Sequence, residues 1–199
     1  MDVSFSVLFV CTGNICRSPV AERLFAARID STRQVTASSA GTAGVTGFAM
    51  DAPAAQVLRE LGGDSEGHVA RRLTPALIAE SDLILTGEIS HRSQVVLADP
   101  MAFRRVFTLQ EFGRLGAELT SLPAAATGDQ LRSRIFEVAA QRGRVPAPDV
   151  DGIGDPYGAP LRVMRTCGHQ IADAVDAAVA VLGLACLSYP ADGRARLYG

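Results

Sequence analysis

The chain has no lysine and no tryptophan. Its 19 basic residues are all arginine, which excludes the nucleotide-binding P-loop, whose lysine reaches the terminal phosphates. Cysteine is scarce: four in 199 residues is too few for a disulfide-stapled secreted scaffold. Charge of one sign is lacking as well, since a formal net charge of −2 gives no basic footprint for nucleic acid. No apolar run reaches the length of a membrane span, and no basic stretch precedes the short apolar segment near the N-terminus. Neither membrane attachment nor a secretory signal is therefore expected. What the chain does have is enough apolar residues, 48% of its length, to bury one good core.

The most informative stretch is Val7-Leu8-Phe9-Val10-Cys11-Thr12-Gly13-Asn14-Ile15-Cys16-Arg17-Ser18-Pro19. Phe5 and Val7 to Val10 form a nearly continuous apolar run, which suits a strand covered on both faces. Ser18 reads as an N-cap and Pro19 as the first helical residue. Val20, Leu24, Phe25 and Ile29 then repeat at helical spacing. The loop between lies at the positive end of that helix, with backbone N–H groups free to point inward.

A cysteine at the loop entrance and an arginine at its exit make an anion pocket with a nucleophile at its floor. A phosphate monoester carries about two negative charges near neutral pH. Backbone donors from Thr12, Gly13, Asn14, Ile15, Cys16 and Ser18 suit its oxygens. Arg17 adds a planar fork that can hold two oxygens at once. The same positive field favours the thiolate of Cys11. Gly13 and Asn14 tolerate the positive φ that a loop wrapped around an anion needs, and Ser18 can hydrogen-bond the sulfur. Cysteine and arginine at this spacing are weak by themselves, because composition gives about 0.4 such pairs by chance. A buried structural cysteine at a strand end is the competing reading. The preceding strand, the Gly-Asn pair and the Ser-Pro helix start sharpen the signal.

The loop resembles that of the low-molecular-weight protein tyrosine phosphatases. The likeness continues, in that family's order, through Ser39-Ala40-Gly41-Thr42, the set Asp51, Ala55, Leu58 and Gly62, then His68-Val69-Ala70-Arg71-Arg72-Leu73, Asp82-Leu83-Ile84-Leu85 and Asp155-Pro156-Tyr157. The resemblance implies hydrolysis of protein phosphotyrosine, or another aryl phosphate, through a phosphocysteine, with no metal and no cofactor. Cys11, Arg17 and Asp155 are then the catalytic residues. Asn14, Ser39 and His68 hold the loop in shape, and Tyr157 and Phe48 form the substrate wall. The same resemblance makes a Cys11–Cys16 disulfide one reading of Cys16, the other being a thiol packed under the loop. Weak self-association is a further expectation.

Asp155 would protonate the leaving oxygen and then act as base toward water. Its competing reading is an ordinary Asp-Pro turn, and Asp149 and Asp151 are nearby rivals without a following Pro-Tyr pair. The chain departs from the family at Gly87-Glu88, at Gly158, and in lacking an aromatic residue between Ala43 and Gly47. These departures imply a wider pocket rim. Three alternatives stay open. An arsenate reductase shares this loop but needs further cysteines, and Asp82 to Ala98 has none. A phosphatase for another phosphorylated residue is the second. Ile15 resembles the tyrosine-directed members, whereas phosphoarginine-directed relatives tend to have threonine there. A phosphopeptide-binding module without turnover is the third, although binding alone requires no nucleophile.

Strands are expected near Ser4–Val10, Gln34–Ser39, Asp82–Thr86 and Arg104–Thr108. Helices are expected near Pro19–Asp30, Asp51–Leu61, Pro75–Ala79, Ser90–Ala98, Gln130–Ala140 and Pro160–Leu182. This alternation predicts an α/β fold, a four-stranded parallel sheet flanked by helices on both faces, with the site beyond the carboxyl end of the first strand. Residues 1–185 are expected to form one domain with an insertion near 113–150, and 186–199 a loosely ordered tail. In the insertion, Arg132, Arg134, Arg142 and Arg144 read first as a solvated face, and second as a dock for an acidic substrate segment. Cys167 and Cys186 read as structural. A thiolate enzyme needs a reducing compartment, so a cytoplasmic location is expected.

Overall fold

The structure, a computed structural model, describes residues 4–29, 34–119 and 127–185. The expected helix end at Asp30, Leu122 of the insertion, Cys186 and the tail lie outside the described residues. Four parallel strands, β1 (Phe5–Cys11), β2 (Val35–Gly41), β3 (Leu83–Thr86) and β4 (Val106–Thr108), form one sheet in the order β2-β1-β3-β4. The helices are α1 (Arg17–Arg28), α2 (Ala52–Glu60), α3 (Pro75–Ala79), α4 (Ile89–Ala98), α5 (Leu109–Gly116), α6 (Gly128–Ala139) and α7 (Leu161–Leu182), with a 3-10 turn at Pro100–Arg104.

β1 is central, pairing Phe5 to Cys11 with Val35 to Gly41 on one side and Val7 to Val10 with Leu83 to Thr86 on the other. Its unbroken apolar run follows from that position, because alternate side chains serve two cores. Phe5, Val7 and Phe9 pack in a large core with α1, α2, α5, α6 and α7. Leu8 and Val10 point the other way, into a smaller core with Ile78 of α3, Val95 of α4 and Ala102. Phe9 and Phe25 tie β1 to α1, with ring centroids 5.5 Å apart and planes tilted by 57°. Among the described residues no helix is long and apolar enough to cross a membrane.

Two elements differ from expectation. α1 starts at Arg17, with Cys16 in the capping position and no side-chain cap. Ser18 is therefore not the N-cap, nor Pro19 the first helical residue. The Ser18 hydroxyl instead meets Cys11 Sγ and Asn14 Nδ2, so no side chain occupies the first-turn N–H groups. α5 was unforeseen, yet it has a reciprocal capping box between Thr108 and Glu111, a Thr-x-x-Glu signature visible in the sequence.

The insertion helix α6 is built into the body. Arg132 pairs with Asp82 at 2.8 Å and Arg134 donates to the carbonyl of Val181 at 3.2 Å. Arg142 pairs with Glu111 at 2.9 Å, donates to the carbonyls of Phe103 and Val106, and stacks on the Phe103 and Phe107 rings. These three arginines have partners within the fold rather than forming a freely solvated face. Their charge is spent on tying the insertion to the sheet and α7, and only Arg144 of the set is exposed.

Candidate active site

The segment from Cys11 to Ser18 wraps between the end of β1 and the first turn of α1. The carbonyls of residues 11 to 15 are all turned outward. The Cys11 carbonyl accepts from Thr42 N, Thr12 from Ala43 N, Gly13 from Val45 N and Ile15 from Asp51 N, at 2.9 to 3.1 Å. The Asn14 carbonyl accepts from His68 Nε2 at 2.8 Å. A trans peptide points its C=O and N–H in opposite directions, so the N–H groups of residues 12 to 16 turn the other way, into the cradle. The neighbouring chain can come this close because Gly41 has no side chain: a Cβ there would lie 2.4 Å from the Thr12 carbonyl oxygen.

Asn14 is the keystone of the turn. It is fully buried and is the one non-glycine residue with positive φ among those described, at 58°. Gly13, expected to share that geometry, does not have it, because the single reversal at Asn14 is enough to turn the loop. A buried amide must be satisfied. Asn14 Nδ2 donates to Ser39 Oγ at 2.8 Å and Ser18 Oγ at 3.0 Å, while its Oδ1 accepts from Arg71 N at 2.9 Å. Ser39 in turn donates to Glu22, and its carbonyl accepts from Arg71 Nε.

Cys11 is 2% exposed at the floor, with Sγ 3.0 Å from Ser18 Oγ. Ser18 already accepts from Asn14, and its hydroxyl proton has two acceptors in reach, the sulfur at 3.0 Å and the Ala40 carbonyl at 3.4 Å. Cys16 packs into the core and is a free thiol, as is Cys11. Burial pushes the Cys16 thiol well above its usual range, and the nearby Asp51, Cys11 and Asp155 add to this against Arg17. Cys167 on α7 is likewise buried, its thiol pushed up to about 11, chiefly by desolvation.

Arg17 is almost fully buried beside the loop. Its Nη1 donates to the carbonyl of Ile153 at 3.0 Å and pairs with Glu88 at 3.2 Å. Its Nη2 lies 3.2 Å from Asp155 and 3.4 Å from Thr12 Oγ1. Its Nε is buried and without a partner. Nε and Nη2 share one edge of the guanidinium, the edge that binds an oxyanion two-pronged. The Nη1 side of Arg17 is thus anchored on Ile153 and Glu88, while on the other edge Nη2 faces Asp155 and Thr12 and Nε keeps an unused donor.

Asp155 is half-exposed above this edge. Of the three candidate acids it is the one paired with Arg17. Asp149 is exposed, and Asp151 is buried against Arg114 at 2.6 Å. Asp151 anchors the loop, and Ile153 N donating to the Gly87 carbonyl at 2.7 Å completes the attachment. Phe48 and Tyr157 are both largely exposed, on the loops that follow β2 and Asp155 respectively. Three contributors were not foreseen as site residues: Glu88 as a partner of Arg17, the Ile153 carbonyl, and buried His91 against Thr12. The signal for His91 was its place three residues after Glu88, where the two cap α4 reciprocally.

The family model described as low molecular weight phosphotyrosine protein phosphatase matches residues 6–138. The low molecular weight protein-tyrosine-phosphatase Etp of Escherichia coli (strain K12) is 44% identical over 95 residues. That match takes in 48% of this chain and 62% of the relative, so the chain spans less than two thirds of the relative's length. The crystal structure of a low molecular weight protein tyrosine phosphatase from T. tengcongensis superposes with a TM-score of 0.65 at 29% identity, covering 89% of this chain and 99% of that one. The YwlE arginine phosphatase from Geobacillus stearothermophilus superposes with a TM-score of 0.66 at 25% identity, covering 89% and 92%. A match over more than half the chain, which takes in the same loop, makes this protein a member of the low molecular weight phosphotyrosine protein phosphatase family.

Proposed function

We propose that the protein hydrolyses phosphotyrosine in proteins through a phosphocysteine intermediate. The observation that carries this reading is the arrangement at one point of three groups: Cys11 Sγ on the floor, inward N–H groups around it, and the Nε/Nη2 edge of Arg17 beside it, with Nε unpaired and Nη2 facing Asp155. Cys11 attacks phosphorus in line, the S–P bond forms and the bond to the aryl oxygen breaks. Asp155 gives its proton to that departing oxygen. It then takes a proton from the water that attacks the phosphocysteine, the S–P bond breaks, and inorganic phosphate leaves with the thiolate restored. The loop N–H groups and Arg17 hold the equatorial oxygens throughout. The chain is read as one phosphatase domain over 1–185, working in the reducing cytoplasm that a free thiolate requires.

Phosphotyrosine as the substrate is supported by the depth of Cys11, which suits a long aryl phosphate better than phosphoserine, and by Ile15 in the loop. The test is metal-free turnover of para-nitrophenyl phosphate, run beside thiol-dependent arsenate reduction. Rates on phosphotyrosine, phosphoserine and phosphoarginine peptides complete it. Turnover abolished by Cys11→Ser and fastest on phosphotyrosine is expected. Equal hydrolysis by wild type and Cys11→Ser removes the mechanism, and a preference for phosphoarginine replaces the substrate.

A further inference from the structure

His91 is an unusual histidine. It sits in the first turn of α4 and is 2% exposed. Nδ1 lies 3.1 Å from the backbone nitrogen of Glu88 and Nε2 lies 2.9 Å from Thr12 Oγ1. A backbone N–H can only donate, so Nδ1 must accept and carry no proton. In the neutral ring the proton is then on Nε2, which donates to the Thr12 hydroxyl. That hydroxyl oxygen also receives Arg17 Nη2 at 3.4 Å. With two donors on its lone pairs, the Thr12 hydroxyl has one thing left to offer, its own proton. Thr12 is exposed at the mouth of the loop, next to Cys11.

We propose that His91 is a positioning residue that fixes the Thr12 hydroxyl as a donor toward the phosphoryl group. The inference rests on the phosphatase reading above and adds a residue to it. An unrestrained threonine hydroxyl can rotate to accept or donate. Here a buried imidazole, locked in one tautomer by the amide of Glu88, removes that choice before substrate arrives. The groups facing His91 keep it neutral. Burial pushes its pKa below 6.5, Arg17 from α1 pushes the same way, and Glu88 from its own helix and Asp155 from the acid loop oppose them. Glu88 serves both ends of the device, giving its amide to His91 and its carboxylate to Arg17.

Two substitutions separate the two contacts. Asn at position 91 places an acceptor where Nδ1 was, so it keeps the Glu88 amide and loses Thr12. Gln places an amide donor where Nε2 was, so it keeps Thr12. His91→Asn is expected to lower kcat for para-nitrophenyl phosphate about tenfold, or about 1.4 kcal/mol, and His91→Gln to recover most of it. Thr12→Val should cost about the same as His91→Asn, and the double variant no more than either single one, since both delete one contact. Losses that multiply, or a Gln variant no better than Asn, would overturn the proposal. If the wild type shows no turnover at all, the phosphatase reading fails. The same four proteins then report through their affinity for inorganic phosphate, where the same non-additive pattern is expected and independent losses reject the role of His91.

Discussion

At the scale of single residues the proposed chemistry leans most on the arginine fork. Arg17 has Nη1 fixed by Ile153 and Glu88 while Nη2 faces Asp155 and Nε is unpaired, so charge without a fork is a poor substitute. Arg17→Lys is expected to reduce kcat/KM on aryl phosphates by about 10²–10³-fold, on the scale of losing an oriented oxyanion donor. Asp155→Asn tests proton supply. It should cost about 10²–10⁴ in kcat with an alkyl or unactivated phenyl phosphate, and much less with a leaving group stable as its anion. Leaving-group dependence unchanged by Asp155→Asn would take the acid role from this residue. Cys11, Asn14, Arg17 and Asp155 were legible as residues because each combines a rare requirement with a marked neighbour, such as Gly before Asn14 or Pro after Asp155. Glu88 and His91 were not. Their partners are Arg17 and Thr12, more than 70 positions earlier in the chain, and nothing in a local pattern reports a contact across parallel strands.

At the scale of elements, the loop that carries Asp155 owes its place to two anchors. Asp151 is buried on Arg114 and beside Thr108 Oγ1, and Ile153 bonds to Gly87. Gly152 lets the loop lie flat on Gly87 and Glu88, where a Cβ would come within 3.0 Å of the Gly87 oxygen. Asp151→Asn is expected to lower kcat several-fold while leaving inorganic phosphate affinity near that of the wild type, because it loosens Asp155 and spares the phosphate loop. Equal weakening of both, measured by steady-state kinetics and phosphate titration, would mean that the loop does more than carry the acid. Thr108 caps α5 and also reaches Asp151. Thr108→Ala should cost about 0.5–2 kcal/mol in urea unfolding, the range for a lost N-cap. The main strands and helices are readable from periodicity to within two residues, whereas α5 is hidden because its eight residues follow β4 with no loop between.

For the whole molecule, the charged interior sets the response to acid. Glu111 is almost fully buried, which raises the carboxyl, but the hydrogen bonds and charges of Arg142 and Arg92 outweigh burial and hold it below the ordinary 4.5. The folded state then binds fewer protons than the unfolded chain as pH falls, so the stability from this cluster is complete above about 4.5 and is lost through the lower folded value. His91 adds a separate step of the same sign, beginning near 6.5, where the unfolded chain takes up a proton that the folded ring refuses. Urea midpoints against pH should fall in these two stages. Glu111→Gln, which can retain the capping bond to Thr108, should flatten the more acidic one, and an unaltered acid limb would reject the assignment. One consequence of the Arg142 side chain reaches beyond the single molecule. Its guanidinium occupies the carbonyl of Val106 in β4, the outermost strand on that side, and lies over the Phe103 and Phe107 rings. An open strand margin is a template on which other chains aggregate. Here a half-buried cation from the insertion blocks part of that margin, so removing it invites edge-to-edge polymerisation even where the fold survives.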